Sequence, residues 1–307
     1  MGNHNDYNDY NDEKKPRKRS SRLFGREKEQ QQLLDAYRLS QRTSEKSRSV
    51  VCIIKGSPGS GKTALANSLK EHLRKENGSM MPWVCDRQAV LQIGPGFIVA
   101  LRKWVDDMLL LSDEALTEWK CQIIKQFEVF DLAILVKHFP GLEKLFNVED
   151  FPAEVHQEYR YDWSTFQKFL KATSTSDFPL VFVIDDFHWV EWTSFRWIFE
   201  RMNTAKNEGT FFIVSYNTDL EDQESLWYRE VHGLATQGFD VVEISLKELD
   251  EEATSSIVAD VLGAPQDSIQ HVSRCIHGQS MGNPLHTEEL LHALCEREIL
   301  CMQWITH

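Results

Sequence analysis

Apolar residues in this chain gather into short β-branched runs separated by stretches of helical spacing. Val50-Val51-Cys52-Ile53-Ile54 is uninterrupted, the pattern of a strand buried on both faces of a parallel sheet. Phe178 to Asp186, Phe211 to Tyr216 and Val241 to Leu246 repeat it, and Met80 to Val84 is a weaker instance. About five strands alternating with helices predict an α/β fold, with helices layered on both faces of a parallel sheet and right-handed crossovers.

The stretches between the strands carry the helical period. Glu27 to Leu39 sets Leu33, Leu34, Ala36 and Tyr37 on one face. Residues 95–160 form a helical insert. In it Phe97, Ile98, Leu101, Trp104, Val105, Met108 and Leu109 recur at 3.6-residue spacing. Ser112 is placed to cap a second helix with Leu116, Trp119, Ile123, Ile124 and Phe127. These aromatics read as core. Beyond Leu246 the pattern is helical only. Asp250 caps a helix with Ala253, Ile257, Val258, Val261 and Leu262 that Gly263 stops. A second helix runs from Asp267 to His277 and stops at Gly278. Pro284 opens a third, with Leu290, Leu291 and Leu294 on one face. The expected organisation is a disordered polar tail (1–22), an α/β domain (23–246) and a small helical lid (247–307) that the C-terminus cuts short.

The link from the first strand to the next helix carries the chemistry. Gly56-Ser57-Pro58-Gly59-Ser60-Gly61-Lys62-Thr63 has the form G-x-x-x-x-G-K-[ST], and Ala64 continues it into a helix. Strand, glycine loop and helix N-terminus aim backbone N–H groups and a positive dipole end at a phosphate. Lys62 would meet the β- and γ-phosphates, and the Thr63 hydroxyl would meet Mg²⁺. A second element fits the first. Val181-Phe182-Val183-Ile184-Asp185-Asp186 is an apolar strand ending in two carboxylates, at the sheet edge where ligands of parallel folds bind. Asp185 is assigned to the metal, opposite Thr63, and Asp186 to orienting or deprotonating an attacking water.

Charge and composition narrow the picture. The net charge of −13 lacks the electrostatic footprint of a DNA binder, so a nucleic-acid partner is not expected. Lys14-Lys15-Pro16-Arg17-Lys18-Arg19 is a local basic cluster. It reads either as a solvated charge run in the tail or as a nuclear-localisation or anionic-surface patch. Six scattered cysteines form no C-x-x-C pair, which argues against zinc and fits a reducing, cytoplasmic compartment. No apolar run reaches the ~20 residues of a membrane span. Asp6 stands where N-myristoylation wants Ser or Thr.

Taken in order, Leu23-Phe24-Gly25-Arg26-Glu27, the phosphate loop, Pro179 to Trp189 around Asp185-Asp186, and Gly282-Asn283-Pro284 resemble a known family. It is the AAA-type ATPase domain named for likeness to the origin recognition complex large subunit, within the signal-transduction (STAND) NTPases. The chain looks like modules of large multidomain signalling proteins of bacteria and protists. The likeness spans about residues 23–300, and Phe139-Pro140-Gly141-Leu142 also fits it. The resemblance implies ATP with Mg²⁺ as ligand, Phe24-Gly25-Arg26 packing by the adenine, and Pro284 touching the base from the lid. It also implies nucleotide-dependent self-association and an unidentified effector partner. Relatives continue beyond such a lid into a winged-helix or repeat region.

One departure matters. The strand Phe211 to Tyr216 ends in Asn217, where many relatives carry an arginine that senses the γ-phosphate. Asn217 can still hydrogen-bond phosphate or water, yet it brings no charge to a transition state. No arginine finger is evident, and Arg229 reads as a surface residue. The expectation is an ATP-binding switch with slow hydrolysis. A replication- or chromatin-type ATPase and a non-hydrolysing nucleotide-bound scaffold stand as alternatives.

Overall fold

The strand runs named above become β1 (Val50–Gly56), β2 (Ser79–Val84), β3 (Leu180–Asp185), β4 (Phe211–Asn217) and β5 (Asp240–Leu246). They form one sheet in the order β2-β3-β4-β1-β5, with every neighbouring pair parallel. The computed structural model describes residues 22–42, 49–85, 94–146, 163–190, 196, 199–200, 210–297 and 300. The basic cluster at Lys14 to Arg19, residues 147–160 of the insert and Cys301 lie outside the described residues.

The helices are α1 (Glu27–Ser40), α2 (Lys62–Ser68), α3 (Lys70–Lys75), α4 (Gly94–Met108), α5 (Asp113–Gln126), α6 (Val129–His138), α7 (Trp163–Thr173), α8 (Leu226–Gly233), α9 (Glu251–Leu262), α10 (Gln266–Ser280) and α11 (Pro284–Glu296). β1 explains why its sequence does not alternate. Val51 and Ile53 face a core shared with α4 to α7, while Val50, Cys52 and Ile54 face α1 to α3. Both faces are covered, so both sets must be apolar. Cys52 behaves as a core hydrophobe, its thiol pushed up to about 12 by burial. β5 lies at the edge and alternates, with Glu243 and Ser245 exposed and Ile244 and Leu246 buried.

The helical insert packs as its period predicts, with two exceptions. Leu101, Trp104, Val105 and Met108 are buried, as are Trp119 and Ile123. Trp104 donates from Nε1 to Ser79 Oγ at 2.9 Å and meets Trp119 edge-on at 5.9 Å. Leu109 and Ile124 are exposed instead of buried. Each adjoins a residue that takes the inward position, Met108 and Ile123, and the stripe is one residue narrower than the apolar run. Ser112 caps α5 through a hydrogen bond from Ala115 N–H.

The lid helices α9 to α11 build their own core around Leu249, Ile257, Val258, Ile269, Ile276 and Leu291. Asp250 caps α9 by accepting from Ala253 N–H at 2.8 Å, and Gly263 ends it at φ 63°. The expected stop at Gly278 is corrected: α10 continues to Ser280 and ends at Met281, φ 53°. The last turn buries Ile276 and Ser280, and Thr287 donates to Ser280 Oγ at 2.9 Å. That packing outweighs the ~1 kcal/mol cost of a mid-helix glycine. Among the described residues no helix is long and apolar enough to cross a membrane.

Candidate nucleotide-binding site

Parallel register brings the functional strand ends to one edge. Gly56 at the end of β1 pairs with Asn217 of β4 on one side and Leu246 of β5 on the other. β3 ends at Asp185, next to β4. The phosphate loop turns there into α2. Gly61 sits at φ 97° with open space where a Cβ would be, so its requirement is backbone conformation alone. Gly59 differs: a Cβ would lie 2.6 Å from Asn283 Oδ1 and 2.8 Å from Leu285 Cβ. Its glycine identity makes room for the lid.

Lys62 is buried, and its ammonium donates to the carbonyls of Gly56 at 3.0 Å and Ser57 at 2.9 Å. Burial lowers its pKa, and Asp186, Asp185 and Asp219 oppose that shift. Thr63 donates from Oγ1 to Asp185 Oδ2 at 2.5 Å. Ser215 of β4 donates to the other carboxylate oxygen, Oδ1, and accepts from Asp186 N–H at 3.2 Å. Asp185 is therefore held at both oxygens by hydroxyls.

Asp186 is not the last residue of the strand, as its sequence run suggested. It leaves β3 in the left-handed region, φ 55°, and starts a 3₁₀ turn over Phe187–Trp189. Such a conformation is uncommon for a non-glycine residue, and Asp tolerates it better than most. Burial raises the Asp186 pKa, neighbouring Asp185 raises it further, and Lys62 pulls the other way. The turn carries His188, whose Nδ1 accepts from Asn217 N–H at 3.2 Å. Asn217 Oδ1 accepts from Asp219 N–H at 3.0 Å and caps the 3₁₀ turn that follows β4.

The lid closes onto the loop at the start of α11. Asn283 donates from Nδ2 to Pro58 O at 2.8 Å and accepts from His286 N–H at Oδ1. Leu285 N–H donates to Gly59 O at 3.3 Å. A cavity of about 560 Å³ opens between these parts. Its walls are the loop and α2 (Pro58, Gly59, Gly61, Lys62, Thr63, Ala64), Asp186 with His188 and Trp189, Asn217 with Leu220, and Pro284, Leu285 and Glu288 of the lid. That volume suits a nucleotide-sized ligand.

The remaining expected site residues stand elsewhere. Asp185 does not line the cavity and lies behind Thr63. Gly56, Ser57 and Ser60 belong to the loop but do not line the cavity. Phe24 packs on the lid core, and a Cβ on Gly25 would meet Ala253 Cβ at 2.4 Å. Buried Arg26 donates to Ser60 O at 3.2 Å and Lys247 O at 2.5 Å. None of these three lines the cavity; together they join the α/β domain, the loop and the lid. Arg229 is exposed on α8.

Residues 22–201 match the family model described as an AAA ATPase domain, more than half of the chain. The chain belongs to that family. The matched region of this AAA ATPase domain includes the phosphate loop and Asp185-Asp186, while Asn217 and the lid lie beyond it. No curated protein matches the chain. Among solved structures it is similar to the Orc1 protein of Aeropyrum pernix in complex with DNA, at 13% identity and a TM-score of 0.47, covering 92% of this chain and 63% of that one. It is also similar to Cdc6p of Pyrobaculum aerophilum, at 13% identity and a TM-score of 0.48, covering 92% of this chain and 65% of that one. A Walker-type ATPase of Pyrococcus abyssi aligns at 12% identity, with a TM-score of 0.44 and coverage of 93% and 77%. The chain thus spans just under two thirds of the first two.

Sequence reading gave no role to two polar residues of this candidate site. Ser215 sits in an apolar strand, and its apolar neighbours hid it. His188 was visible beside Asp186, but the turn that points it at Asn217 is a tertiary feature.

Proposed function

We propose that this AAA ATPase domain is a Mg²⁺–ATP-dependent conformational switch that hydrolyses ATP slowly, in a STAND-type signalling role. The observation that carries this reading is the double hydrogen bond between lid and phosphate loop, Asn283 Nδ2 to Pro58 O and Leu285 N–H to Gly59 O. A bound phosphate would draw on the Lys62 ammonium, which gives two of its three donors to the loop carbonyls of Gly56 and Ser57, and so would act on the loop as well as on the side chain. Any such change reaches the first turn of α11 directly. Lid position then reports nucleotide state through differential contacts.

The residues fit Mg²⁺ and ATP. Thr63 and Asp185 present hard oxygen donors in contact with each other, and Mg²⁺ is commonly held by one or two such groups with phosphate oxygens and water. The ion would neutralise phosphate charge when bound. Asp186, with its raised proton affinity, is suited to accept a proton from water. Among the described residues of the cavity walls Lys62 is the one side chain of fixed positive charge, so these walls offer little cationic stabilisation to a transition state. This supports slow turnover. Pro284 in the cavity wall supports the base contact expected of it.

The test is equilibrium binding of Mg²⁺–ATP to the full chain. Lys62→Ala is expected to reduce affinity at least a hundredfold; unimpaired binding overturns the site.

A further inference from the structure

His188 has no role in the reading above, yet it stands in the wall of the nucleotide cavity beside Asp186 and Asn217. Its two ring nitrogens are in different situations. Nδ1 is committed, because it accepts from Asn217 N–H. A nitrogen that accepts carries no proton, so the ring proton resides on Nε2. Among the described residues Nε2 has no hydrogen-bond partner within the protein. Burial and the nearby Lys62 ammonium push the imidazole down to about 4, against the opposing effect of Asp185, and keep it uncharged at neutral pH.

The other polar groups of the cavity are differently engaged. Asp186 only accepts when ionised. Asn217 spends its side-chain oxygen on Asp219 N–H. Lys62 approaches from the loop. A γ-phosphate seated between the loop and Asp186 would meet two neutral donors on the β3–β4 side, the Asn217 Nδ2 amide and His188 Nε2–H, and of these only the His188 ring also holds the backbone of Asn217.

We propose that His188 is a phosphate-sensing residue, donating from Nε2–H to the terminal phosphoryl group of a bound nucleoside triphosphate and passing its position to Asn217 through the Nδ1 contact. The proposal rests on the nucleotide-switch reading. It deepens that reading by naming what distinguishes triphosphate from diphosphate at a cavity whose described walls carry no arginine. A neutral donor does so without paying the cost of a second buried cation. The contact at Nε2 is coupled to the end of β4 and the turn Thr218–Leu220, because Asn217 both donates to Nδ1 and caps that turn. Loss of the terminal phosphate frees the ring, and with it the capped turn.

Three variants of the full chain separate this role from a structural one. His188→Asn keeps an acceptor near the Nδ1 position and loses the distal donor. His188→Gln keeps a distal amide donor. His188→Ala loses both. Affinities are measured by calorimetry for Mg²⁺ with ADP and for Mg²⁺ with β,γ-imido-ATP. The Asn and Ala variants are expected to lose about tenfold for imido-ATP and little for ADP, with Gln recovering most of the loss. An unchanged ratio of the two affinities in Asn and Ala, or an equal fall for both ligands, overturns the proposal. Lys62→Ala is run in parallel. If it binds as well as the wild type, or if the wild type binds neither ligand, the nucleotide reading itself fails. If Lys62→Ala loses binding while the His188 ratios stay flat, only the sensing role fails.

Discussion

Asn283 of the lid and Pro58 of the phosphate loop are joined by a 2.8 Å hydrogen bond across 225 positions of sequence. The same side chain caps α11 by accepting from His286 N–H. Latch and cap can be separated by chemistry. Asn283→Asp keeps the acceptor and loses the Nδ2 donor, whereas Asn283→Ala loses both. The Ala variant should cost about 2 kcal/mol in urea denaturation, one part from the cap and one from the latch. The Asp variant should keep most of the stability while its lid is cleaved faster in limited proteolysis, with Mg²⁺–ATP no longer changing the rate.

Asp186→Asn preserves shape and removes the proton acceptor. Steady-state phosphate release should fall by about 10²-fold or more, with Mg²⁺–ATP affinity within a few-fold of wild type. Unchanged turnover would show that another group activates water.

Ser215→Ala removes one of the two hydroxyls that hold Asp185 and also the acceptor for Asp186 N–H. Groups that orient a metal-binding carboxylate commonly matter about 10- to 100-fold for the metal. The variant should therefore need correspondingly more Mg²⁺ to reach half-maximal nucleotide binding, while metal-free binding changes little. Magnesium titration at fixed ATP checks this.

His188 predicts a pH dependence of folding. Its folded pKa lies near 4 and its ordinary value at 6.5, so between these the unfolded chain binds more protons than the native one. Stability should thus fall as pH drops through that window, and His188→Gln should flatten the fall. Burial lowers the His188 pKa most, Lys62 from α2 lowers it further and Asp185 from β3 opposes them, while Asp186 and Glu288 of the lid also line the cavity. Urea midpoints at several pH values for both proteins give the comparison.

Much of this architecture could be read from residue order. β1 and β3 announce themselves because strands covered on both faces cannot hide their apolar content, and Lys62, Thr63 and Asp185 follow at their ends. Asp250 and Gly263 bound α9 by local chemistry that needs no tertiary information. What depends on distant contacts was not legible. Gly278 looks like a terminator until the burial of Ser280 beside Thr287 is known. Arg26 shows its partners, Ser60 and Lys247, only once three parts of the chain meet. Leu109 and Ile124 have the right period, but which flank of the stripe is covered depends on neighbouring helices.

The register of β1 has a consequence for biogenesis. Gly56 is made well before its partners, because β4 and β5 deliver Asn217 and Leu246 only after the insert and β3 have been synthesised. Such distant pairings are slow to form, and until they do the edges of β1 are open templates. A ribosome-bound chain that has emerged only through β3 therefore owns the complete G-x-x-x-x-G-K-T sequence without a finished phosphate cradle. Its first strand stays unpaired on both edges until β4 and β5 arrive.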